Sequence, residues 1–431
     1  MDKIRKVVEN GLCTSCGTCA GICPTDAVKM QVKAGLILPK IDERKCNGCG
    51  LCLKCCPGWI IDFEELNSEF FGAQPKDAHL GNFLGCYVGH SNDYDVRFNS
   101  ASGGVATQLL LFALEQGIID GAVVTRMRMD NPLMPESFIA KTREEIVSAS
   151  RSKYCPTSPN EVLKHVLKEN GRFAFVGLPC QIHGVRKAEV NVKDLREKIV
   201  LHIGLFCSHT VNFDGTRFLL NRFGVAPESV EEIAYRGCGW PGFMFIKLKN
   251  GGCFLFPYVG GWNAYWPVFS SFFFTPFRCL MCVDESNELA DISVGDAWLK
   301  EFKNEKIGES MVVARTGVGL KLLEEASSKG VISLKPIDPL KVRRSQAEPL
   351  KFKKVDIWLR LAMLRAYGRK VPEFKVKQSV GGSFASFIRN LFVLFNVRAC
   401  DAKFFREFLT GVPFPVFRLY YGVYKFLSFF S

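Results

Sequence analysis

The sequence predicts a chain of mixed class, α+β joined to α/β, in three parts: a cysteine-dense N-terminal module, a mixed-sheet α/β domain and a helical C-terminal tail. Three observations carry that reading. A run of four cysteines ending in proline occurs twice within residues 13–57. After a Gly-, Pro- and Asp-rich stretch, short apolar runs alternate with helical patterns, as an α/β domain requires. Beyond residue 376, aromatic residues recur at helical spacing with basic residues between them. The expected boundaries are 1–70 for the module, 71–85 for a linker, 86–375 for the α/β domain and 376–431 for the tail.

The two runs are CTSCGTCAGICP (13–24) and CNGCGLCLKCCP (46–57). Thiolate is a soft ligand, and four of them complete a 4Fe–4S cube. Gaps of two residues let three cysteines wrap one cube. The fourth, before proline, sits too far along the turn and reaches the other cube. The expected pairing is therefore crossed: cluster A takes Cys13, Cys16, Cys19 and Cys56, and cluster B takes Cys46, Cys49, Cys52 and Cys23. Cys55 is left over as a small buried residue. Zinc favours paired C-x-x-C knuckles in closed tetrahedral sites, which leaves this doubled pattern unexplained. The module reads as a bacterial-type two-cluster ferredoxin that stores and passes single electrons.

Eighteen cysteines with no secretion signal ahead of Cys13 point to reduced thiols and metal ligation, hence a reducing cytoplasm. No run of about 18 apolar residues suggests a spanning helix. The formal charge of +13 looks like a nucleic-acid signal, but it counts every cysteine as neutral. A cubane held by four thiolates carries about −2, so two lower the balance to about +9 and a third to about +7. No nucleic-acid motif accompanies the charge, and that partner is set aside.

Within the α/β domain, VATQLLLFALEQG (105–117) reads as a helix and GAVVTRM (121–127) as a strand. EVLKHVLKENG (161–171) reads as a second helix, and RFAFVGL (172–178) and KIVLHIGLF (198–206) as further strands. GCGWPG (237–242) matches G-x-G-x-x-G by letter but lacks a buried strand before it and a helix after it, so it reads as a β-turn. FNSASGGVATQLL (98–110) is the better cofactor candidate. There Ser100 and Ser102 precede Gly103 and Gly104, which open a helix, so hydroxyls and free N–H groups converge. The set suits a phosphate or another polar cofactor edge; a serine N-cap with a glycine turn is the plain alternative. RSKYCP (151–156) places Arg151 and Lys153 beside Tyr154, apt for an anionic ring system or for a surface loop. Cys180, Cys207, Cys279 and Cys282 could hold a third 4Fe–4S cluster, with buried structural cysteines or half a zinc site as alternatives.

In the tail, Pro413 and Pro415 divide two helical segments. Its rings could sink into an anionic membrane surface while Arg and Lys meet headgroups; a helical pair packed on its own domain or on a partner is the other reading. The aromatic segment 258–277 could line a pocket for a large apolar substrate, although core packing explains it more simply.

Several stretches, in order, resemble the beta-subunit family of coenzyme F420-reducing hydrogenases and dehydrogenases: SASGGVATQLLLFALEQGIIDGAVV, SRSKY, FVGLPCQIHGVRK, IGLFC, YRGCGWPG and RCLMCVDESNELADISVGDAW. The resemblance implies that 86–375 is a mixed-sheet α/β flavin domain, not Rossmann-like, that binds FAD beside an iron–sulfur cluster. Ser100, Ser102, Gly103, Gly104, Thr107, Lys153 and Tyr154 become the flavin candidates, and Cys180, Cys207, Cys279 and Cys282 those of the third cluster. Cys155 departs from the expected pattern, and with Cys86 and Cys238 it leaves that ligand set open.

The implied function is an iron–sulfur flavoprotein oxidoreductase, one subunit of a complex. Hydride would pass between the deazaflavin coenzyme F420 and FAD. Electrons would leave singly through 4Fe–4S clusters to a hydrogenase or dehydrogenase subunit, or a ferredoxin. Hydride transfer needs no protein acid or base, and none is named. The alternatives are ferredoxin-dependent reduction of an organic double bond on the same scaffold, and a flavin-free electron relay. The implied location is the cytoplasm, with the tail able to rest on the inner face of the membrane.

Overall fold

The computed structural model describes residues 3–258, 265–375 and 383–430. The expected boundary at 375/376, most of the loop KQSVGGS and residues 259–264 of the aromatic segment lie outside the described residues.

The N-terminal module is shaped by its cysteine runs. Helix Lys3–Glu9 leads into the first, and the antiparallel hairpin of β1 (Val28–Lys33) and β2 (Leu36–Ile41) follows it. Each run contains a four-residue helical turn, Thr18–Gly21 or Leu51–Lys54, entered through a left-handed glycine, Gly17 (φ 86°) or Gly50 (φ 74°). Glycine adopts that backbone without strain, which lets three cysteines curl round one point. Strand β3 (Ile60–Ile61) and helix Phe63–Phe71 close the module.

The chain then runs through β4 (Gly85–Ser91), β5 (Gly121–Met127), β6 (Pro135–Ala140), β7 (Phe173–Gly177) and β8 (Ile199–Leu205). It detours through a three-stranded antiparallel sheet of β9 (Val230–Ala234), β10 (Phe243–Leu248) and β11 (Cys253–Pro257). Strands β12 (Ile292–Asp296), β13 (Ser310–Ala314) and β14 (Ile332–Pro336) return to the main sheet, and β15 (Glu373–Phe374) pairs with β3 of the module. The main sheet has the order β14-β4-β13-β12-β8-β7-β5-β6. Strands β12, β8, β7 and β5 run parallel and the outer pairs antiparallel, so the mixed sheet expected from the sequence is found.

Alternation along the strands covers both faces. Ala122 and Val124 pack with Leu109 and Leu322 of two helices on one side, whereas Val123 packs with Ile182 and Val185 of helix Pro179–Asn191 on the other. Strand GAVVTRM occupies its expected residues. The helix expected over 161–171 is instead a 3-10 turn, Pro159–Val162, continued by helix Leu163–Lys168. Pro159 sets its start, and Glu169 leaves early in extended backbone to enter β7. Strand β10, not a helix, follows GCGWPG, as the turn reading requires.

The tail forms three helices, Phe384–Ala399, Lys403–Gly411 and Phe414–Phe430, where the sequence suggested two. The unforeseen break, at 400–402, involves no proline; Arg406 Nη1 donates to the freed carbonyls of Cys400 (2.7 Å) and Asp401 (3.1 Å). Val393, Val397 and Tyr424 of the tail pack on Phe272, Leu280 and Phe352 of the domain. No helix among the described residues is long and apolar enough to cross a membrane.

The module is docked firmly on the α/β domain. Asn160 N donates to Cys16 O (3.1 Å), and its side-chain amide donates to Thr18 Oγ1 (2.8 Å). A Cβ on Gly21 would stand 1.9 Å from the Asn160 carbonyl oxygen, and one on Gly184 would stand 2.3 Å from Thr18 Oγ1. Only glycine permits such backbone approach at both points.

Candidate functional site

Strands β7 and β8 are parallel neighbours, so their C-terminal ends open on the same edge of the sheet, where α/β folds place their sites. Cys180 follows β7 by three residues and Cys207 follows β8 by two. Asn287 ties the two ends together, its amide donating to Gly177 O (2.8 Å) and Leu205 O (3.2 Å). The segment before β12 supplies Cys279 and Cys282, and Cys207 N donates to Glu285 O (2.9 Å). All four cysteines line one cavity of about 70 Å³, together with Cys13, Cys155 and Lys353. Burial raises the Cys180 thiol well above its ordinary pKa, and the charges of Cys16, Cys282, Cys207 and Cys279 raise it further, so five sulfurs are close neighbours.

The module's cysteines act on one another in the same way. Burial raises the Cys19 thiol, and Cys16, Cys13, Cys56 and Cys52 add to the rise. Burial pushes Cys56 up to about 11, with Cys16 adding to it. The structure thus brings Cys13, Cys16, Cys19 and Cys56 together. Cys52 is raised by burial and then by Cys49, Cys23 and Cys46, which gathers the second set. Cys23 is held below its ordinary value: burial opposes this, but N–H groups of Thr25, Ala27 and Val28 and the Thr25 hydroxyl point at its sulfur. Cys49 is exposed, whereas Cys16, Cys19 and Cys56 are buried. The cysteines thus form three groups: the set at the sheet edge, the set of Cys13, Cys16, Cys19 and Cys56 beside it, and the set of Cys46, Cys49, Cys52 and Cys23, in which Cys49 is exposed.

Charged groups flank the inner cysteines. Lys353 lies on a π-helical turn, Lys351–Val355. Burial would lower its pKa, but Cys282, Cys207 and Cys279 raise it above the ordinary lysine value. Arg278 is buried between Cys13 and Cys279, donating from Nη2 to Pro57 O (3.2 Å). Burial pushes the Glu285 carboxyl up to about 8. His209, stacked between Phe269 and Phe272, donates from Nε2 to Phe269 O (3.0 Å) and is pulled by burial to about 3, so it is neutral.

Cys55 is fully buried and donates to Lys187 O (3.5 Å); burial raises its thiol pKa, and Cys56 and Cys52 add to the rise. Cys86, on β4, packs into the core and Cys238 is exposed in the turn, but Cys155 reaches the inner cavity.

The residues expected at a flavin are already engaged with the protein. Ser100 Oγ donates to Val96 O (2.6 Å) and closes helix Tyr94–Asn99. Ser102 Oγ lies 2.9 Å from Ser310 Oγ, which also accepts from Gly103 N (2.9 Å). Gly104 is the left-handed N-cap (φ 75°) of helix Val105–Glu115, and Thr107 is half-buried in its first turn. Lys153 Nζ donates to the carbonyls of Ala149 (2.5 Å), Ser150 (2.7 Å) and Arg151 (2.9 Å), and burial lowers its pKa to about 7. Tyr154 donates to Tyr258 Oη (3.2 Å) and stacks on that ring.

Among the described residues, no three His, Cys, Asp or Glu side chains converge on one metal ion. A zinc ion would draw its thiolates to within about 2.3 Å of one point. A cubane instead hands each thiolate to a different iron, so four sulfurs need only line a common space. Two groups of soft donors in the module and one at the sheet edge fit that demand. Sequence reasoning missed Lys353, Arg278 and Ser310, each brought to its place from far along the chain.

Comparison with known proteins adds an independent view. Residues 86–164 and 170–340 match the N-terminal and C-terminal models of the coenzyme F420 hydrogenase/dehydrogenase beta subunit, and residues 12–60 match a 4Fe-4S dicluster domain. The chain is 28% identical to the beta subunit of the coenzyme F420 hydrogenase of Methanosarcina barkeri over 271 residues, 62% of this chain and 86% of that one. It is 28% identical over 324 residues to a subunit of the F(420)H(2) dehydrogenase of Methanosarcina mazei, 71% of this chain and 83% of that one. It is 27% identical over 353 residues to the coenzyme F420-dependent sulfite reductase of Methanocaldococcus jannaschii, 79% of this chain but 50% of that one. A solved chain from the F420-reducing [NiFe] hydrogenase complex of Methanosarcina barkeri superposes with a TM-score of 0.52 at 26% identity, covering 67% of this chain and 95% of that one.

Proposed function

The chain belongs to the coenzyme F420 hydrogenase/dehydrogenase beta-subunit family, and from that premise we propose that it is the F420-linked oxidoreductase subunit of a larger complex. In this reading it relays single electrons through 4Fe–4S clusters to a hydrogenase-type partner. The observation that carries it is the place of Cys180, next to Cys16 of the module on one side and to Cys207, Cys279 and Cys282 on the other. With Cys52 also acting on Cys19, that placement supports reading the three cysteine groups as one path.

Bound there, 4Fe–4S clusters supply one-electron couples at low potential. Cys13, Cys16, Cys19 and Cys56 would hold cluster A, Cys46, Cys49, Cys52 and Cys23 cluster B, and Cys180, Cys207, Cys279 and Cys282 the third. The chain's own residues keep the inner part dry: Leu12, Ala20 and Met281 pack round Cys19 and Cys56. The N–H donors at Cys23 stabilise its thiolate, and exposed Cys49 brings the outer site within reach of a partner.

A finer reading gives the α/β domain FAD and lets it exchange hydride with a deazaflavin. The chemical argument is electron counting, since a deazaflavin carries paired electrons and a flavin, when bound, can release them singly. Against it, Ser100, Ser102, Gly103 and Lys153 already satisfy one another or the backbone. That internal pairing favours the flavin-free relay, and no step is drawn through FAD. For a double-bond reductase the aromatic segment offers little support: Tyr265, Phe269, Phe273 and Phe274 are core residues. The tail, with exposed Phe404 and Phe408 among basic residues, would bring the chain against an anionic membrane surface.

Iron, sulfide and flavin counts on anaerobically prepared protein test the relay. About twelve irons per chain are expected, four for each of three cubanes. A count of about eight would remove the third centre. One flavin per chain, reduced by the reduced deazaflavin, would establish the finer reading instead.

A further inference from the structure

Lys353 is 1% exposed, and its ammonium donates to Cys207 O (2.6 Å), Asp284 O (2.7 Å) and Cys282 Sγ (3.4 Å). All three acceptors belong to the segments that carry the third cysteine set. A buried ammonium is costly unless an anion faces it. The neighbouring Lys354 meets that demand through the Glu288 carboxylate. Lys353 does not. Among the described residues no carboxylate comes within ion-pair distance of it. The carboxylate of Asp284 is turned instead to the N–H groups of Asn287 and Glu288. Two carbonyl oxygens and a sulfur are what the chain provides within bonding reach, while the Asp284 and Glu285 carboxylates act on it from beyond ion-pair distance.

The backbone is arranged to produce this placement. Residues 351–355 form a π-helical turn, an irregularity that proteins keep chiefly at functional positions. Its widened turn sends Lys351 to Ser428 O (3.2 Å), Lys354 to Glu288 and Lys353 inward between Cys207 and Cys282. Phe352 is held beneath the Arg360 guanidinium, 3.6 Å from the ring centroid. The turn lies beyond residue 340, outside both beta-subunit family models.

We propose that Lys353 is a counter-ion built into the third cluster site, a positioning residue whose fixed charge favours the thiolate-bound cluster and holds its reduction potential up. The proposal rests on the relay reading, in which Cys180, Cys207, Cys279 and Cys282 carry that cluster. Each thiolate adds negative charge to a dry cavity, reduction adds one more, and the ammonium offsets both.

The test uses full-length, anaerobically prepared protein as wild type, Lys353→Gln and Lys353→Arg, with iron counts and an EPR-monitored redox titration. Lys353→Gln keeps a hydrogen-bond donor without the charge. It is expected either to lower the potential of the third centre or to lose that centre's share of about four irons, with both module centres unmoved. Lys353→Arg is expected to restore the centre and its potential. A third centre at unchanged potential in Lys353→Gln, or equal shifts in both variants, would overturn the proposal. Should the Gln variant not fold, pulsed EPR of wild type labelled with ¹⁵N-lysine decides: a ¹⁵N coupling to the reduced third centre is expected, and its absence refutes the idea. A wild-type count of about eight irons would instead sink the relay reading itself.

Discussion

His183 Nε2 lies 2.8 Å from the Asp62 carboxylate, tying the helix that begins beside Cys180 to the end of the cysteine module. Lys187, one turn further along the same helix, adds a second contact to Asp62 at 3.0 Å. The clamp therefore fixes the helix that carries Cys180 against the cysteine module.

Asp62 gives the clamp a pH signature. Burial alone would raise its pKa, but His183 and Lys187 outweigh it and bring the carboxyl down to about 2. A lowered acid contributes stability that is present above its unfolded value near 3.9 and is lost as pH falls through about 2. The difference amounts to about 2–3 kcal/mol. Asp62→Asn should lose that much at neutral pH, and its melting temperature should depend less on pH between about 4 and 2 than the wild type's. Thermal melts across that range check it.

Substituting single cysteines separates ligands from bystanders. Cys180→Ser should lower the iron content by about four per chain while leaving both module signals in place. Cys55→Ser should leave the iron content unchanged, because the Cys55 sulfur is fully buried and already engaged with the Lys187 carbonyl. Iron and sulfide analysis reads both outcomes.

A buried ion network should govern alkaline stability. His202 faces Glu189 at 2.6 Å and Asp291 at 2.9 Å, and Arg186 faces the same two carboxylates. Burial and Arg186 work against the imidazolium, yet the carboxylates raise His202 above its ordinary value. A raised histidine contributes stability that is complete below about 6.5 and is lost as pH rises through the raised value. Asp291→Asn, which leaves Arg186 and His202 short of a partner, should cost about 3–5 kcal/mol. Denaturant unfolding at several pH values measures both effects.

The tail predicts a lipid preference. Phe404 and Phe408 are 73% and 62% exposed, one helical turn apart, on a helix whose neighbours carry Arg398 and Arg418. The full-length chain should pellet with phosphatidylglycerol vesicles and not with phosphatidylcholine vesicles, and Phe404→Ser with Phe408→Ser should abolish the difference. Equal pelleting of wild type and double variant would remove the membrane role. The point variants are the better probe, because deleting the tail would also strip Arg389, Asn390 and Asn396 from the core.

Local patterns were readable and long-range meetings were not. Strand Gly121–Met127 could be read because a short apolar run with Gly at its head has one natural fate. The cysteine spacing likewise separates into the two groups that the structure gathers, because a tight loop limits where each sulfur can reach. Ser100 and Lys153 show the opposite case, where the structure adds what the sequence does not display. Their polar atoms turn back on the chain's own carbonyls a few residues away, a local competition that composition does not reveal. Lys353 lies 146 residues from Cys207 and owes its place to a π turn without a sequence signature. The break at 400–402 escaped because an arginine from the next helix, not a proline, makes it.

The contrast between sealed Cys16 and wetted Cys49 has a direction built into it. Water shields added negative charge far better than packed hydrocarbon does, so surroundings grow more welcoming to an electron from Cys16 outward to Cys49. The same gradient would expose an iron held at Cys49 to dissolved oxygen before one held further in. Air should therefore strip the chain from its rim inward, leaving the interior centre as the last to fade.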